Sequence, residues 1–275
     1  MMDIVTYNIP IALFPDYIGR RVIVRSADPA EIVQQLAGQD IDNVQYAQLL
    51  TADVTTDAID RLSNWEQPVP LDIVLDDPSS QFPLLYNFSK LLDRCPIRVT
   101  IPVRSGFFKA VKLALALNFA VKLDVGQPDA EMIDELNEIL DLYLHRPNVS
   151  QPVEFFHSVF LSIYNEQPAS LWMIQEEDAD NFRFVADDGD EAVSSRFGGL
   201  HPDVIVRNVE NNAEHTGDYE CDTCEFLPVC GGYFKWPDHN YSCEGVKSIF
   251  ATITAEAAEL RENVASIKAI QEGAQ

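Results

Sequence analysis

The feature that most restricts the fold is an alternation of strand and helix signals, recurring roughly every 25 residues through the first half of the chain. Arg21-Val22-Ile23-Val24-Arg25 reads as a strand. Asp28-Pro29-Ala30-Glu31 then opens a helix, with Asp as the cap, Pro at the first position and Glu three residues after the cap. Ile32, Val33 and Leu36 give that helix its apolar face, and Gly38 is its expected stop. Further strands are expected at Asn43 to Leu50, Leu71 to Leu75, Ile97 to Val103 and Phe119 to Val125. Helices are expected between them, at Thr55 to Trp65, Phe82 to Leu92 and Ser105 to Leu117. Gln127-Pro128-Asp129 opens a longer helix with Ile133, Leu136, Leu140 and Leu144 on one face. Such βα repeats build a parallel sheet or barrel. Five or six units are too few to close an eight-stranded barrel. The expected fold is therefore α/β, a partial and open βα barrel. A Rossmann-like sheet has less support, because no G-x-G-x-x-G follows any strand.

The rhythm stops near residue 150. Pro152 to Phe160 is apolar and reads as a helix covering the sheet. An acidic stretch follows, Glu176-Glu177-Asp178 with Asp180, then Asp187-Asp188-Gly189-Asp190-Glu191. Its spacing does not match a calcium loop, so it reads as a solvated face. Arg183-Phe184-Val185 reads as a short strand, with Asp188-Gly189 as a hairpin turn. Residues 200–245 are rich in loop signals. A terminal helix is expected over 249–270, striped by Ile249, Ile253, Ala257, Leu260, Val264 and Ile267.

Charge narrows the partners. With 44 acidic against 19 basic residues, the net charge is -25. Such a surface repels nucleic-acid phosphates and anionic membranes and favours basic or neutral protein and peptide faces. No stretch is long and apolar enough for a membrane span. The segment MMDIVTYNIPIALFPDY lacks the basic start and small-residue cleavage site of a signal peptide. A cytoplasmic location is expected, where clustered cysteines serve as ligands more often than as disulfides.

Four of the five cysteines fall in one short window: Cys221, Cys224, Cys230 and Cys243, spaced C-x2-C-x5-C-x12-C. A C-x2-C pair aims two thiolates at one centre from a tight turn, and two later cysteines complete a four-sulfur site. Four thiolates suit zinc or an iron–sulfur cluster. Structural zinc sites are often built from two C-x2-C knuckles, and here there is one, which favours a cluster wrapped by loop. Gly231-Gly232 would let backbone approach the cluster closely, and Phe226, Leu227, Val229, Phe234 and Trp236 would keep water out. Cys95 stands alone before Pro96 and reads as a structural thiol.

The segment CDTCEFLPVCGGYFKWPDHNYSCEGVKSIF resembles the C-terminal half of a SPASM domain. These domains are the auxiliary iron–sulfur extensions of radical S-adenosylmethionine (SAM) enzymes that modify peptides and proteins. Family members commonly read C-x2-C-x-F-x-x-x-C-G-G, followed by a final Cys and an amphipathic helix. The partial βα barrel extends the resemblance coarsely over most of the chain. Two departures are informative. The family's C-x3-C-x2-C motif, which holds the SAM-cleaving cluster, is missing: no cysteine precedes Cys95, and Tyr7 to Phe14 offers no thiolate. In the family's C-x2-C-x5-C-x3-C pattern the cysteine after x3 is replaced here by Phe234, and the upstream SPASM cysteines are missing too. The resemblance thus implies a degenerate member that keeps one outer [4Fe–4S] cluster on Cys221, Cys224, Cys230 and Cys243. It also implies a radical-SAM-like barrel over 1–200 and a SPASM/twitch-like lobe with its terminal helix over 201–275. The implied role is accessory: a partner of a radical SAM maturase, or of its precursor peptide.

Other side chains are weaker candidates. His239 and His215 stand near the cysteines as substitute ligands. His157 lies in the apolar stretch and reads as a packed or cleft histidine. Asp72, Asp76, Asp77 and Asp124 lie in or at the ends of strands, where βα barrels carry active groups, although Asp76 and Asp77 serve equally well as helix caps. An unconventional metal-dependent enzyme built on these carboxylates, or a zinc-stabilised interaction module, are the alternatives to a cluster protein.

Overall fold

The computed structural model describes residues 5–51, 56–193 and 220–273. Among these, nine strands join in one sheet: β1 (Thr6–Pro10), β2 (Arg21–Ser26), β3 (Val44–Thr51), β4 (Leu71–Leu75), β5 (Ile97–Pro102), β6 (Ala120–Asp124), β7 (Val153–Glu154), β8 (Phe182–Val185) and β9 (Glu191–Ala192). Their order is β7-β6-β5-β4-β3-β2-β1-β8-β9. All neighbours run parallel except β8 and β9. From β1 to β7 the chain steps outward without reversing, and β8 then adds in parallel on the other side of β1. The α/β class and the mostly parallel sheet agree with the βα rhythm of the sequence.

The described helices are α1 (Pro29–Leu36), α2 (Thr56–Ser63), α3 (Pro78–Gln81), α4 (Leu85–Phe88), α5 (Phe107–Ala116), α6 (Ala130–His145), α7 (Phe156–Asn165), α8 (Leu171–Ile174), α9 (Leu227–Cys230) and α10 (Glu244–Gly273). None is long and apolar enough to cross a membrane. Asp28 caps α1 as expected, its Oδ1 accepting from the Ala30 N–H at 2.8 Å. Glu31 does not close a capping box; it accepts from the Ser26 hydroxyl at 2.6 Å instead. The expected helix over Phe82 to Leu92 is broken into a 3-10 turn at Phe82–Leu84, α4, and another 3-10 turn at Ser89–Leu91. Pro83 lacks the N–H that a continuous helix would need. Pro152 to Phe160 is also not one helix: it starts as β7 and becomes α7 at Phe156.

Parallel partners share a face, and the register sorts the side chains sharply. One face carries Ile9, Val22, Val24, Ala47, Leu49, Ile73, Val99, Val121 and Leu123, all buried. The other carries a polar row, with Arg25 beside Gln48, Gln48 beside Asp72, Asp72 beside Arg98, and Thr100 beside Lys122. Right-handed crossovers stepping in one direction put the helices on a single face. The polar face is left to be covered by something else.

Gln175 and Glu176 reach it. The Lys122 ammonium donates to Glu176 Oε2 at 2.7 Å and to the Gln175 carbonyl at 3.1 Å. Arg98 donates to Glu176 Oε1 at 2.9 Å and to Asp72 Oδ2 at 2.8 Å. Gln48 and Thr100 donate to the fully buried Asp72. Burial would raise the Glu176 carboxyl, but Lys122 and Arg98 outweigh it and hold it at about 2. Glu176 is therefore not on a solvated face, which corrects the reading of the first acidic cluster. The second cluster is solvated: Asp188 and Asp190 are exposed on a β8–β9 hairpin with Gly189 at φ +91°.

The cysteine-bearing segment joins the main core. Tyr233, Phe234, Cys243, Val246, Ile249, Phe250 and Ile253 belong to the same buried cluster as the sheet residues. α10 packs on α6 and α7. Gly245 allows this approach, since a Cβ there would lie 2.7 Å from Ile133 Cγ1. The apolar stripe of α10 is buried through Ala257, whereas Leu260 and Ile267 are exposed.

Candidate metal centre

Cys221, Cys224, Cys230 and Cys243 line one cavity. The loop and α9 present the first three, and Cys243 stands directly before α10. The Cys224 N–H donates to the Cys221 carbonyl at 3.1 Å, closing the turn that the C-x2-C spacing predicts. Cys230 ends α9, and the next two residues, Gly231 and Gly232, have φ of +57° and +74°. This double left-handed step turns the following amides back onto the thiol. Burial raises the Cys230 thiol, while backbone N–H groups of Phe234, Tyr233 and Gly232 hydrogen-bond its sulfur and favour the thiolate. Cys243 accepts the Lys247 N–H on its carbonyl at 2.8 Å, so its sulfur sits at the positive end of α10.

Gly231 is also fixed by its surroundings. Its carbonyl accepts from Trp172 Nε1 at 2.9 Å, and a Cβ there would lie 3.0 Å from Trp172 Cδ1. We expect Gly231→Ala to lose about 1–2 kcal/mol from the left-handed backbone alone. The urea midpoint, read with tryptophan fluorescence, checks this; an unchanged midpoint would contradict it.

The remaining walls are of two kinds. Phe226, Leu227, Phe234, Val246 and Phe250 are apolar, the last two contributed by α10. Phe226 stacks on Phe250 at 5.5 Å between centroids. Of the other aromatics expected to shield the site, Trp236 packs instead in a satellite cluster around Val193. Glu220, Lys235 and Lys247 are the charged walls. Glu220 accepts from Lys235 at 2.7 Å and from Lys247 at 2.6 Å. These two bonds, Lys235 first, hold its carboxyl at about 2. Burial pushes the Cys243 thiol up to about 12, with Lys235 opposing this and Glu220 adding to it.

The donor set fits a thiolate-bound centre: four thiols around one cavity, amides aimed at one sulfur, a helix N-terminus at another and cations beside them. Among the described residues, no group of three or more His, Cys, Asp and Glu side chains is arranged as a site for a single metal ion. Loading would require the raised thiols to give up protons, so uptake is expected to strengthen with rising pH.

The other candidates lie apart. His215 is outside the described residues. His239 is exposed and meets the Trp236 ring edge-on at 5.9 Å. His157 Nδ1 pairs with the Tyr143 hydroxyl at 2.6 Å beside a surface cavity. Cys95 is buried, and its thiol is raised by that burial. Asp77 caps α3, accepting from the Ser79 N–H at 3.0 Å and from the Ser80 hydroxyl at 2.6 Å. Asp76 is exposed beside it. Asp124 is exposed at the end of β6 and borders a cavity over the polar face, with Gln48, Thr100 and Lys122. The three strand-end carboxylates do not converge on one point of that cavity: of them, only Asp124 lines it. The polar row was a signal open to sequence reading, because Gln48, Asp72, Arg98, Thr100 and Lys122 interrupt otherwise apolar strands at alternate positions.

The chain matches no family model, and no curated protein or solved structure matches it.

Proposed function

We propose that this chain is an iron–sulfur protein whose Cys221, Cys224, Cys230 and Cys243 hold one [4Fe–4S] cluster. The observation that carries this reading is that four thiols from three chain segments, spread over C-x2-C-x5-C-x12-C, line a single cavity. The cluster would supply electron storage and would tie the loop to α10. The protein's own part is to exclude water with Phe226, Phe234 and Phe250, and to favour thiolates with the amides after Gly231. The stretch before Cys95 offers no thiolate for a SAM-cleaving cluster. The proposed role is therefore accessory, in a peptide- or protein-modification system of the RiPP type. Its net charge of -25 suits a basic precursor peptide or a basic face of a maturase.

Anaerobic reconstitution with iron and sulfide is expected to give brown protein with broad visible absorbance, and Cys221→Ser/Cys224→Ser is expected to stay colourless. Colourless wild-type protein overturns the proposal. Four thiols are also the ligand types of structural zinc, and zinc retention without sulfide is the outcome that selects an interaction module instead.

A further inference from the structure

One carboxylate links all three chain segments that carry the thiols. Glu220 directly precedes Cys221. It accepts from Lys235, which follows Cys230, and from Lys247, one turn into the helix that Cys243 opens. It also receives the Cys243 N–H at 3.4 Å. The Lys235 ammonium, almost fully buried, donates in addition to the Tyr241 carbonyl, two residues before Cys243. All three charged side chains line the cysteine cavity. Deep burial of a lysine is costly unless it serves a partner. Here two cations share one anion, leaving a net positive bracket against four sulfurs, in a chain that is otherwise strongly acidic.

We propose that Glu220, Lys235 and Lys247 are positioning residues that hold Cys243 against the other thiols and set the electron affinity of the centre. The proposal rests on the iron–sulfur reading above. A cluster held by four thiolates is anionic, and one added electron makes it more so. Nearby ammonium groups stabilise the reduced form, and a nearby carboxylate opposes it. The two kinds of bracket residue must therefore act in opposite directions on the reduction potential, although both act in the same direction on the structure.

That opposition is the test. Full-length protein is reconstituted anaerobically and titrated with dithionite, which supplies one electron per cluster, in the presence of redox mediators. Lys247→Met is expected to shift the midpoint potential to more negative values, Glu220→Gln to less negative values, and Lys247→Arg to leave it near wild type. Equal potentials in all variants, or a shift of Lys247→Met and Glu220→Gln in the same direction, overturns the proposal. A protein that carries zinc and no sulfide fails the iron–sulfur reading, and with it the electron-affinity role, but the positioning role is still read by zinc transfer to a chelator. Transfer should then be roughly 10-fold faster in Lys247→Met and unchanged in Lys247→Arg. Equal rates overturn the positioning role as well.

Discussion

Glu176→Ala is expected to lower stability by about 3–5 kcal/mol, the range for removing one partner of a buried ion pair. The carboxylate stands between Lys122 and Arg98 at 2.7 and 2.9 Å, with 17% of its side chain exposed. Without it, the Lys122 ammonium faces only the Gln175 carbonyl, and Arg98 must share Asp72 with Gln48 and Thr100. The segment that carries it is then held on the sheet through Gln175, whose carbonyl accepts from Lys122 and whose side chain donates to the Leu123 carbonyl. Glu176→Gln keeps an acceptor and should recover part of the loss. The pH dependence has a definite sign. The folded carboxyl lies at about 2, below its ordinary 4.5. Its contribution is fully present above pH 4.5 and is lost as pH falls through about 2. The difference in urea-derived stability between wild type and Glu176→Ala should therefore shrink across that window. A difference at neutral pH within about 0.5 kcal/mol, typical of surface substitutions, would contradict the account.

The second large effect concerns the thiols. Cys230→Ser and Cys243→Ser are each expected to abolish stable loading of the centre, with iron and sulfide falling to background. Cys95→Ser should leave loading unchanged, since Cys95 closes the turn after Leu91 and does not line the cavity. A tetrathiolate centre also couples to folding: structural zinc in small domains contributes about 10–16 kcal/mol of apparent binding energy. Loaded wild-type protein should therefore resist proteolysis around residues 220–243 much better than either Ser variant. Retention of iron and sulfide in both variants would remove these cysteines from the ligand set.

How much of this was readable from the sequence differs by element. The strands at 21–26, 44–51, 71–75, 97–102 and 120–124 are bounded by helix caps and turn residues, and the structure places them where expected. β1 is not legible in the sequence, because Thr6–Pro10 is short and ends in proline, which hides its central place between β2 and β8. β7 has two residues, too few for any periodicity. Glu176 looks like a surface charge in the sequence, because its partners Lys122 and Arg98 lie more than 50 residues away and meet it only on the folded sheet. The C-x2-C spacing implies the turn between Cys221 and Cys224 that the structure has. It could not reveal Lys235 and Lys247, since an ordinary surface lysine looks the same until the fold brings Glu220 between them.

The most direct test of the central claim is the iron, acid-labile sulfide and zinc content of wild-type protein purified anaerobically without reconstitution. The account predicts iron and sulfide in equal amounts with little zinc. Stoichiometric zinc with no sulfide would contradict it.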